Sequence, residues 1–171
     1  MNTIKKIRNT WQLFYPCCIF FLVFLSYSVG ISQEVQPQIK ALNDYFECEE
    51  CTDGELEAVA KYQDEVVGIL SQTMRKGPSK VKVYEKREAL GKAYKEMAAY
   101  GAKHPESRPT ISQEAYVKLY LNNYVAQYQK RAIEALGKIR TPKAMEELNG
   151  YDQSNLAKGG VRKSLKRVLN K

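Results

Sequence analysis

The chain has 171 residues, a formal net charge of +8 and 44% hydrophobic residues, so it is long enough for one domain with a real hydrophobic core. It contains four cysteines and one histidine, which leaves too few ligands outside the first 32 residues for a structural zinc site. No grouping of residue types along the chain forms a catalytic constellation. The sequence therefore predicts neither an enzyme nor a bound cofactor or metal.

The first segment has the features of a secretory signal peptide. Residues 1–16 carry three bases and no acid, residues 17–29 carry no charge, and the small residues Gly30 and Ser32 follow. A basic segment, a short apolar segment and small residues at a cleavage point are the parts of such a signal. We therefore expect residues 1–32 to be removed on export.

An uncleaved membrane anchor is the alternative for the same segment. Residues 13–31 number 19, which is near the length needed to cross the hydrocarbon core of a bilayer. In both cases the basic end stays inside the cell. Residues 33–171 are then expected outside as one domain, either periplasmic or secreted.

A pair of cysteines, Cys48 and Cys51, follows the leader in an acidic stretch. These two are the cysteines that remain after residue 32, and an exported protein places them in an oxidising compartment. Neighbouring acids disfavour the thiolate that a redox-active Cys-x-x-Cys needs, and the acids here are Glu47, Glu49, Glu50, Asp53 and Glu55. We predict a structural disulfide, with a thiol oxidoreductase as the less favoured alternative.

Helical periodicity surrounds this pair. Residues 36–50 have the apolar spacing of a short helix, and Thr52 and Glu55 have the form of a capping box that begins the next helix. The disulfide would therefore hold a tight corner between two helices. Because the closed loop is so short, its contribution to stability is expected to be about 2 kcal/mol.

Further helices are predicted in chain order, with no alternating run of β-branched residues that would form a strand. Their predicted bounds are 53–62, 64–75, 81–102, a long helix that begins after Thr110 or Ser112 and ends at 140–142, a short helix from there to 149, and 156–169. The third of these is expected to bury Val83, Leu90, Ala93, Tyr94, Met97 and Tyr100. Breaks are predicted at 75–80, 103–110, 140–142 and 149–155. The predicted fold class is all-α.

Residues 131–148 resemble a HEAT repeat. In that family, Ala and Leu-Gly lie near the end of one helix, a turn with Pro follows, and Ala and Leu lie on an antiparallel partner. The matching residues are Ala132, Ala135, Leu136, Gly137, Ile139, Pro142, Ala144 and Leu148. Residues 54–70 resemble a more degenerate copy. The resemblance implies a short right-handed α-solenoid of antiparallel helix pairs with a concave binding face, and it implies no activity.

A tyrosine ladder marks the second long helix and consists of Tyr116, Tyr120, Tyr124 and Tyr128. Four-residue spacing places neighbouring rings on one helix face, and Arg131 would add a charged anchor beside them. Two interpretations stay open. The stripe is part of the core, or it lines a binding groove that is apolar with a wet edge.

Charge is segregated along the chain. Residues 33–74 carry a net charge of −8 and residues 75–171 a net charge of +13. The last 16 residues hold six bases and no acid, among them Arg162, Lys163, Lys166 and Arg167. For an exported domain this basic helix predicts an acidic protein or an anionic membrane surface as partner, and nucleic acid is not expected. The alternative is a solvated helix whose bases complement its own dipole.

Together these features predict an exported, non-catalytic, HEAT-like module that binds another protein or peptide. The alternative function is that of a membrane-surface protein, held there by its leader and its basic C-terminal helix. The identity of the partner does not follow from the sequence.

Overall fold

The computed structural model describes residues 36–171, so the predictions about the leader lie outside the described residues. Within this range the chain forms seven α-helices and one 3₁₀ turn, without a strand, which confirms the all-α prediction. The elements are α1 (Pro37–Glu47), α2 (Asp53–Ala60), α3 (Asp64–Lys76), α4 (Lys80–Lys103), the 3₁₀ turn (Pro105–Ser107), α5 (Gln113–Ile139), α6 (Pro142–Gln153) and α7 (Gly159–Leu169).

Local capping chemistry sets most helix starts, as the sequence predicted. Thr52 begins α2 with a capping box, because its side chain accepts from the first turn and Glu55 accepts from the Thr52 amide at 2.9 Å. Ser112, one of the two predicted caps, begins α5. Thr141 caps α6, and Pro142 occupies the first helical position, where its missing amide hydrogen costs nothing.

Three predicted helix bounds are wrong by three residues or more. α1 ends at Glu47, where the disulfide corner begins, and not at residue 50. The predicted break at 149–155 is helical as far as Gln153, and α7 begins at Gly159. Tyr151 explains the longer α6: its side chain is 1% exposed, and burial of a large ring outweighs the low helix propensity of the preceding glycine.

α5 is the central helix of the domain. It contacts each of the other six α-helices of residues 36–171. Its second half supplies the middle of the core, and the residues buried there are Tyr128, Ala132, Ile133, Ala135 and Leu136. In a linear stack of repeats each helix pair touches its neighbours alone, whereas here one helix touches all the others.

The first half of α5 pairs with α4 in a two-helix extension, which we call the arm (residues 80–121). α4 packs mainly along α5 and the 3₁₀ turn, so the arm has a single inner line of contacts. The predicted buried set of α4 is therefore wrong: Leu90 alone among the six is buried, and Tyr100 is 56% exposed. The main hydrophobic cluster does not include Leu90 or Leu121, the residue of α5 that is buried in the arm.

Candidate interaction site

The disulfide corner joins α1 to α2 at the base of the arm. Cys48 and Cys51 are bonded, with their Cα atoms 5.3 Å apart. Cys48 is half-buried, and Cys51 is exposed immediately before the cap of α2. The predicted Cys48–Cys51 disulfide is thus present, and it lies at a bend between two helices.

Arg131 reaches this corner from α5. Its side chain is buried, with the residue 9% exposed, and its guanidinium donates to the carbonyl oxygens of Phe46 at 2.5 Å and Cys48 at 2.6 Å. The Tyr45 hydroxyl donates in return to the Arg131 carbonyl at 3.3 Å. Arg131 therefore satisfies carbonyl groups at the end of α1 that have no partner within the helix. The sequence suggested that Arg131 would lie beside exposed tyrosine rings, and this expectation is wrong because its side chain is buried against the end of α1.

Tyr128 occupies the same base. Its ring is 3% exposed and stacks on Phe46, with centroids 4.9 Å apart and planes 5° from parallel. Its hydroxyl donates to the Glu47 carboxylate, which also forms an ion pair with Lys82 of α4. We call Glu47, Lys82, Tyr128 and Phe46 the clasp, because these residues tie α1, α4 and α5 together.

The ionisation of the clasp suits a structural role. Burial raises the pKa of Tyr128 far above its usual value, and the hydrogen bond to Glu47 raises it further. Burial alone would raise the pKa of Glu47, but hydrogen bonds from Lys82 and Tyr128 and the charges of Lys82 and Lys86 hold it below its usual range. The phenol therefore keeps its proton and the carboxylate stays ionised, so the clasp links three helices through a hydrogen bond and an ion pair.

The tyrosine ladder does not stay on one face of α5. A step of four residues advances about 40° beyond a full helical turn, so the stripe rotates by about 120° from Tyr116 to Tyr128. Burial falls from Tyr128, which is buried, through Tyr124, which is half-buried, to Tyr120, which is 46% exposed. Tyr116 is half-buried again, because Tyr94 of α4 packs beside it. The base of the ladder is core, and its outer part is surface.

The outer rings form a short chain of contacts along the arm. The centroids of Tyr116 and Tyr120 are 4.5 Å apart, and Tyr94 of α4 lies 5.5 Å from Tyr116. The Tyr94 hydroxyl donates to the Ile111 carbonyl at 2.7 Å, which holds the ring at the junction of the two helices. Tyr116 and Tyr120 thus present aromatic surface on a fixed backbone.

Exposed apolar side chains concentrate on the arm. Six of the eight large hydrophobic residues that are exposed within residues 36–171 belong to it: Val81, Tyr84, Tyr100, Ile111, Leu119 and Tyr120. Sequence reasoning missed all but Tyr120, and it placed Tyr100 in the core. A signal was present, because the apolar residues of α4 are spread around its axis and leave no wide face to bury.

The basic C-terminal helix packs by its apolar face, with Val161, Leu165 and Val168 buried. Two of the four predicted contact residues are paired within the domain: Lys166 with Asp152 at 2.7 Å and Arg167 with Glu134 at 2.5 Å. Arg162 and Lys163 are exposed and form no ion pair with any other residue of the described range. The structure therefore places the tyrosines and the basic residues on different elements, α5 and α7.

No family model, curated protein or solved structure matches the chain. Among the described helices, none has the length and apolar character needed to cross a membrane. No group of three or more His, Cys, Asp and Glu side chains in residues 36–171 is arranged to hold a metal ion. The surface features of the described residues are the exposed apolar side chains of the arm and the exposed basic residues of α7.

Proposed function

We propose that this protein is an exported, non-catalytic interaction module that binds another protein or peptide through the arm. The observation that carries the proposal is the concentration of exposed apolar side chains on a two-helix extension. Tyrosine suits such a surface, because its ring supplies apolar contact area while its hydroxyl remains able to bond with a partner or with water.

The binding residues narrow to the outer part of the ladder. Tyr128 and Arg131 are bound to the end of α1, and Tyr124 lies over the base, with its hydroxyl 3.3 Å from that of Tyr128. Tyr116 and Tyr120 remain as candidate contact residues, with Leu119 beside them on the same exposed side of α5.

The HEAT-like relationship is proposed for the α5–α6 hairpin. It is supported by the burial of its signature residues Ala132, Ala135, Leu136, Ala144 and Leu148 and by Pro142 at the start of α6. Gly137 fits as well, because a Cβ there would lie 2.3 Å from Val168 Cγ1 and would keep α7 away. In a linear α-solenoid each helix pair touches only its neighbours, whereas α5 contacts every other helix of residues 36–171. The proposal therefore covers the α5–α6 hairpin and not a complete right-handed α-solenoid.

A pull-down from the native envelope fraction tests the proposal. We expect the parent protein to retain a partner that Tyr120→Ala loses. Tyr84→Ala is the matched control, because Tyr84 is also an exposed tyrosine of the arm, at 64%, but lies on α4 outside the ladder. Both variants should melt like the parent, since neither ring is buried. Equal retention by the parent and both variants would contradict the proposal.

A second role at an anionic membrane surface is supported by α7. Arg162 and Lys163 point outward, and Leu156, just before the helix, is 60% exposed. Basic side chains with an adjacent apolar residue are the usual elements of such surface binding. If this role is correct, a salt wash of the membrane fraction should release the protein, and Arg162→Gln with Lys163→Gln should release it at lower salt.

A further inference from the structure

A groove of 620 Å³ lies between α4 and α5, and we call it the arm groove. Its volume falls within the range of about 300–1,000 Å³ that is usual for ligand pockets. Both helices contribute polar side chains to its walls: Arg87, Glu88, Lys92 and Lys95 from α4, and Gln113 and Glu114 from α5. The charges of these walls therefore bear on what the groove can bind.

Opposite charges stand on the two walls of the arm groove without pairing across it. Elsewhere in residues 36–171, five ion pairs join one helix to another, as Lys138 of α5 does with Glu57 of α2 at 3.3 Å. In the groove, Lys92 contacts Glu96 of its own helix at 3.9 Å, and no ion pair of the described residues joins the α4 wall to the α5 wall. The groove is therefore a gap that the side chains of this chain do not close.

Gly91 lines the groove from the middle of α4, although glycine is a poor helix former. Its φ is not positive, and a Cβ there would meet nothing nearer than Gln113 Nε2, at an ordinary 3.5 Å. Gly101 of the same helix is different, because a Cβ there would lie 2.7 Å from Arg108 Cα. Neither the backbone nor the packing requires a glycine at position 91, so Gly91 leaves open a space that the fold does not use. Close approach of a ligand to the backbone is one reason for such a glycine.

The side chains around Gly91 suit a carboxylate. Arg87 and Lys95 lie one helical turn before and after it, about 6 Å along the axis in each direction. Both are exposed, and neither forms an ion pair within residues 36–171. The Gln113 amide nitrogen faces the same point from α5. Guanidinium, ammonium and amide groups all donate N–H hydrogen bonds, and a carboxylate accepts them.

The charges of the two walls favour an acidic group beside α4. That wall has three bases, Arg87, Lys92 and Lys95, against the single acid Glu88. Glu114 of α5 lies in the first turn of its helix, where its charge complements the helix dipole. An acidic residue of a ligand is therefore attracted to the α4 wall, and a neutral or basic neighbour fits the α5 wall.

We propose that the arm groove binds an acidic peptide segment, with one carboxylate above Gly91 between Arg87 and Lys95. The inference rests on the proposed function, in which the arm binds a protein or peptide, and it names the chemistry of the segment that is bound. The carboxylate accepts from the two bases and from the Gln113 amide. Because the bases are exposed to solvent, added salt weakens the contact.

NMR titration of the purified, isotope-labelled protein with two blocked tripeptides, Ala-Glu-Ala and Ala-Gln-Ala, tests the inference. The two peptides have the same shape and differ in charge, and the side-chain amide signals of Gln113 report on the groove. The acidic peptide should shift these signals in a saturable way, with a Kd at least about fivefold lower than that of the neutral peptide. Added sodium chloride should raise the Kd of the acidic peptide.

Two glycine variants provide a matched comparison. Gly91→Leu places a side chain in the groove and should raise the Kd of the acidic peptide by about tenfold or more. Gly68→Leu is the control, because Gly68 lies within α3 and a Cβ there would meet nothing within 4 Å. Its Kd should stay within roughly twofold of the parent value. Both variants should melt at or above the parent temperature, since leucine is the better helix former.

Three results would overturn the inference: no saturable shift with the acidic peptide, equal binding of the two peptides, or equal binding by Gly91→Leu and Gly68→Leu. The proposed function is judged separately, by the pull-down. If Tyr120→Ala loses the envelope partner while the two tripeptides bind equally, the proposed function stands and the groove has no part in it. If the two tripeptides bind equally and Tyr120→Ala retains the partner as the parent does, both proposals are wrong.

Discussion

The two ends of the tyrosine ladder use the same residue, at the same spacing, on the same helix, with opposite results. Tyr128 is 3% exposed, stacks on Phe46 and donates to Glu47. Tyr120 lies two turns earlier on α5 and is 46% exposed. Spacing along a helix therefore does not determine whether a ring is core or surface. The number of neighbouring helices at that height does.

The physical reason lies in the layers around α5. At the base, α1 and α4 both cover the ladder, and Arg131 holds the end of α1 in place. Along the arm, α4 is the main neighbour, and one neighbour covers one side of a helix. Because a four-residue stripe rotates around the helix, Tyr128 faces the side of α5 that α1 and α4 cover, and Tyr120 does not.

Truncation of the two rings should give the largest difference between the two ends. We expect Tyr128→Ala to destabilise the protein by about 3–5 kcal/mol, because it removes a buried ring and leaves the Glu47–Lys82 pair without its third partner. Tyr120→Ala should change the stability by no more than about 0.5 kcal/mol. Urea unfolding followed by circular dichroism measures both values. Similar losses for the two variants would mean that a further element covers the arm.

Two glycines sharpen the comparison. A Cβ on Gly137, at the base, would lie 2.3 Å from Val168 Cγ1, whereas a Cβ on Gly91, on the arm, would have its nearest contact at an ordinary 3.5 Å from Gln113 Nε2. Gly137→Ala should therefore cost about 1–3 kcal/mol through overpacking. Gly91→Ala should stabilise by about 0.5–1 kcal/mol, because alanine is the better helix former. Shifts of the same sign in thermal melting would contradict this contrast.

The disulfide belongs to the base. Replacing Cys48 and Cys51 together with serine should cost about 2 kcal/mol, since the closed loop is short. It should leave the exposed rings of the arm unaltered, so partner capture in the pull-down should not change beyond the small loss of folded protein. Mass spectrometry of non-reduced peptides provides the control, because the paired peptide should be about 2 Da lighter than the dithiol. If Cys48 and Cys51 were free thiols in protein isolated from its native compartment, the predicted structural disulfide would be wrong.

Acid should lower the stability that Glu47 contributes at the base of the arm, and the effect should be small. The pKa of Glu47 is below its usual value in the folded protein, so the folded state binds fewer protons at this site than the unfolded state does. Its stabilising contribution is present above the unfolded pKa of about 4.5 and is lost as the pH falls below it. Glu47→Gln should therefore be less stable than the parent at neutral pH, and the difference should shrink between about pH 5 and pH 3.

A matched variant separates this effect from general acid sensitivity. Glu88→Gln changes an exposed carboxylate of the arm that forms no ion pair within residues 36–171. Its stability difference from the parent should stay nearly constant over the same pH range. A difference for Glu47→Gln that is also constant would indicate that the carboxylate is not held by Lys82 and Tyr128 in solution.

Much of the fold could be predicted because it depends on neighbours in the chain. The capping box at Thr52, the helix start at Pro142 and the break at Gly77, where φ is 74°, involve residues within one turn of each other. The Cys48–Cys51 bond belongs to the same group, since it closes a loop of adjacent residues. Such features are encoded locally, and they agree with the structure.

The candidate site could be predicted only in part. The sequence identified Tyr120 but grouped it with Tyr128, and it treated Arg131 as a surface anchor when its partners lie 83 and 85 residues away in the chain. The exposed Tyr84, Tyr100 and Leu119 were missed because their exposure reflects a neighbour that is lacking, and periodicity within one helix carries no information about that. The leader, the export and the HEAT relationship remain predictions.

The sequence by itself determined the helices, most of their ends and the covalent corner, because backbone hydrogen bonding, capping and glycine conformations act over a few residues. Only the tertiary structure decided which helix became the centre and which side chains stayed outside. Burial is set by how many helices reach a given height along α5, and that number depends on contacts between residues far apart in the chain. The same tyrosine pattern is therefore a core at one end of α5 and a proposed binding surface at the other.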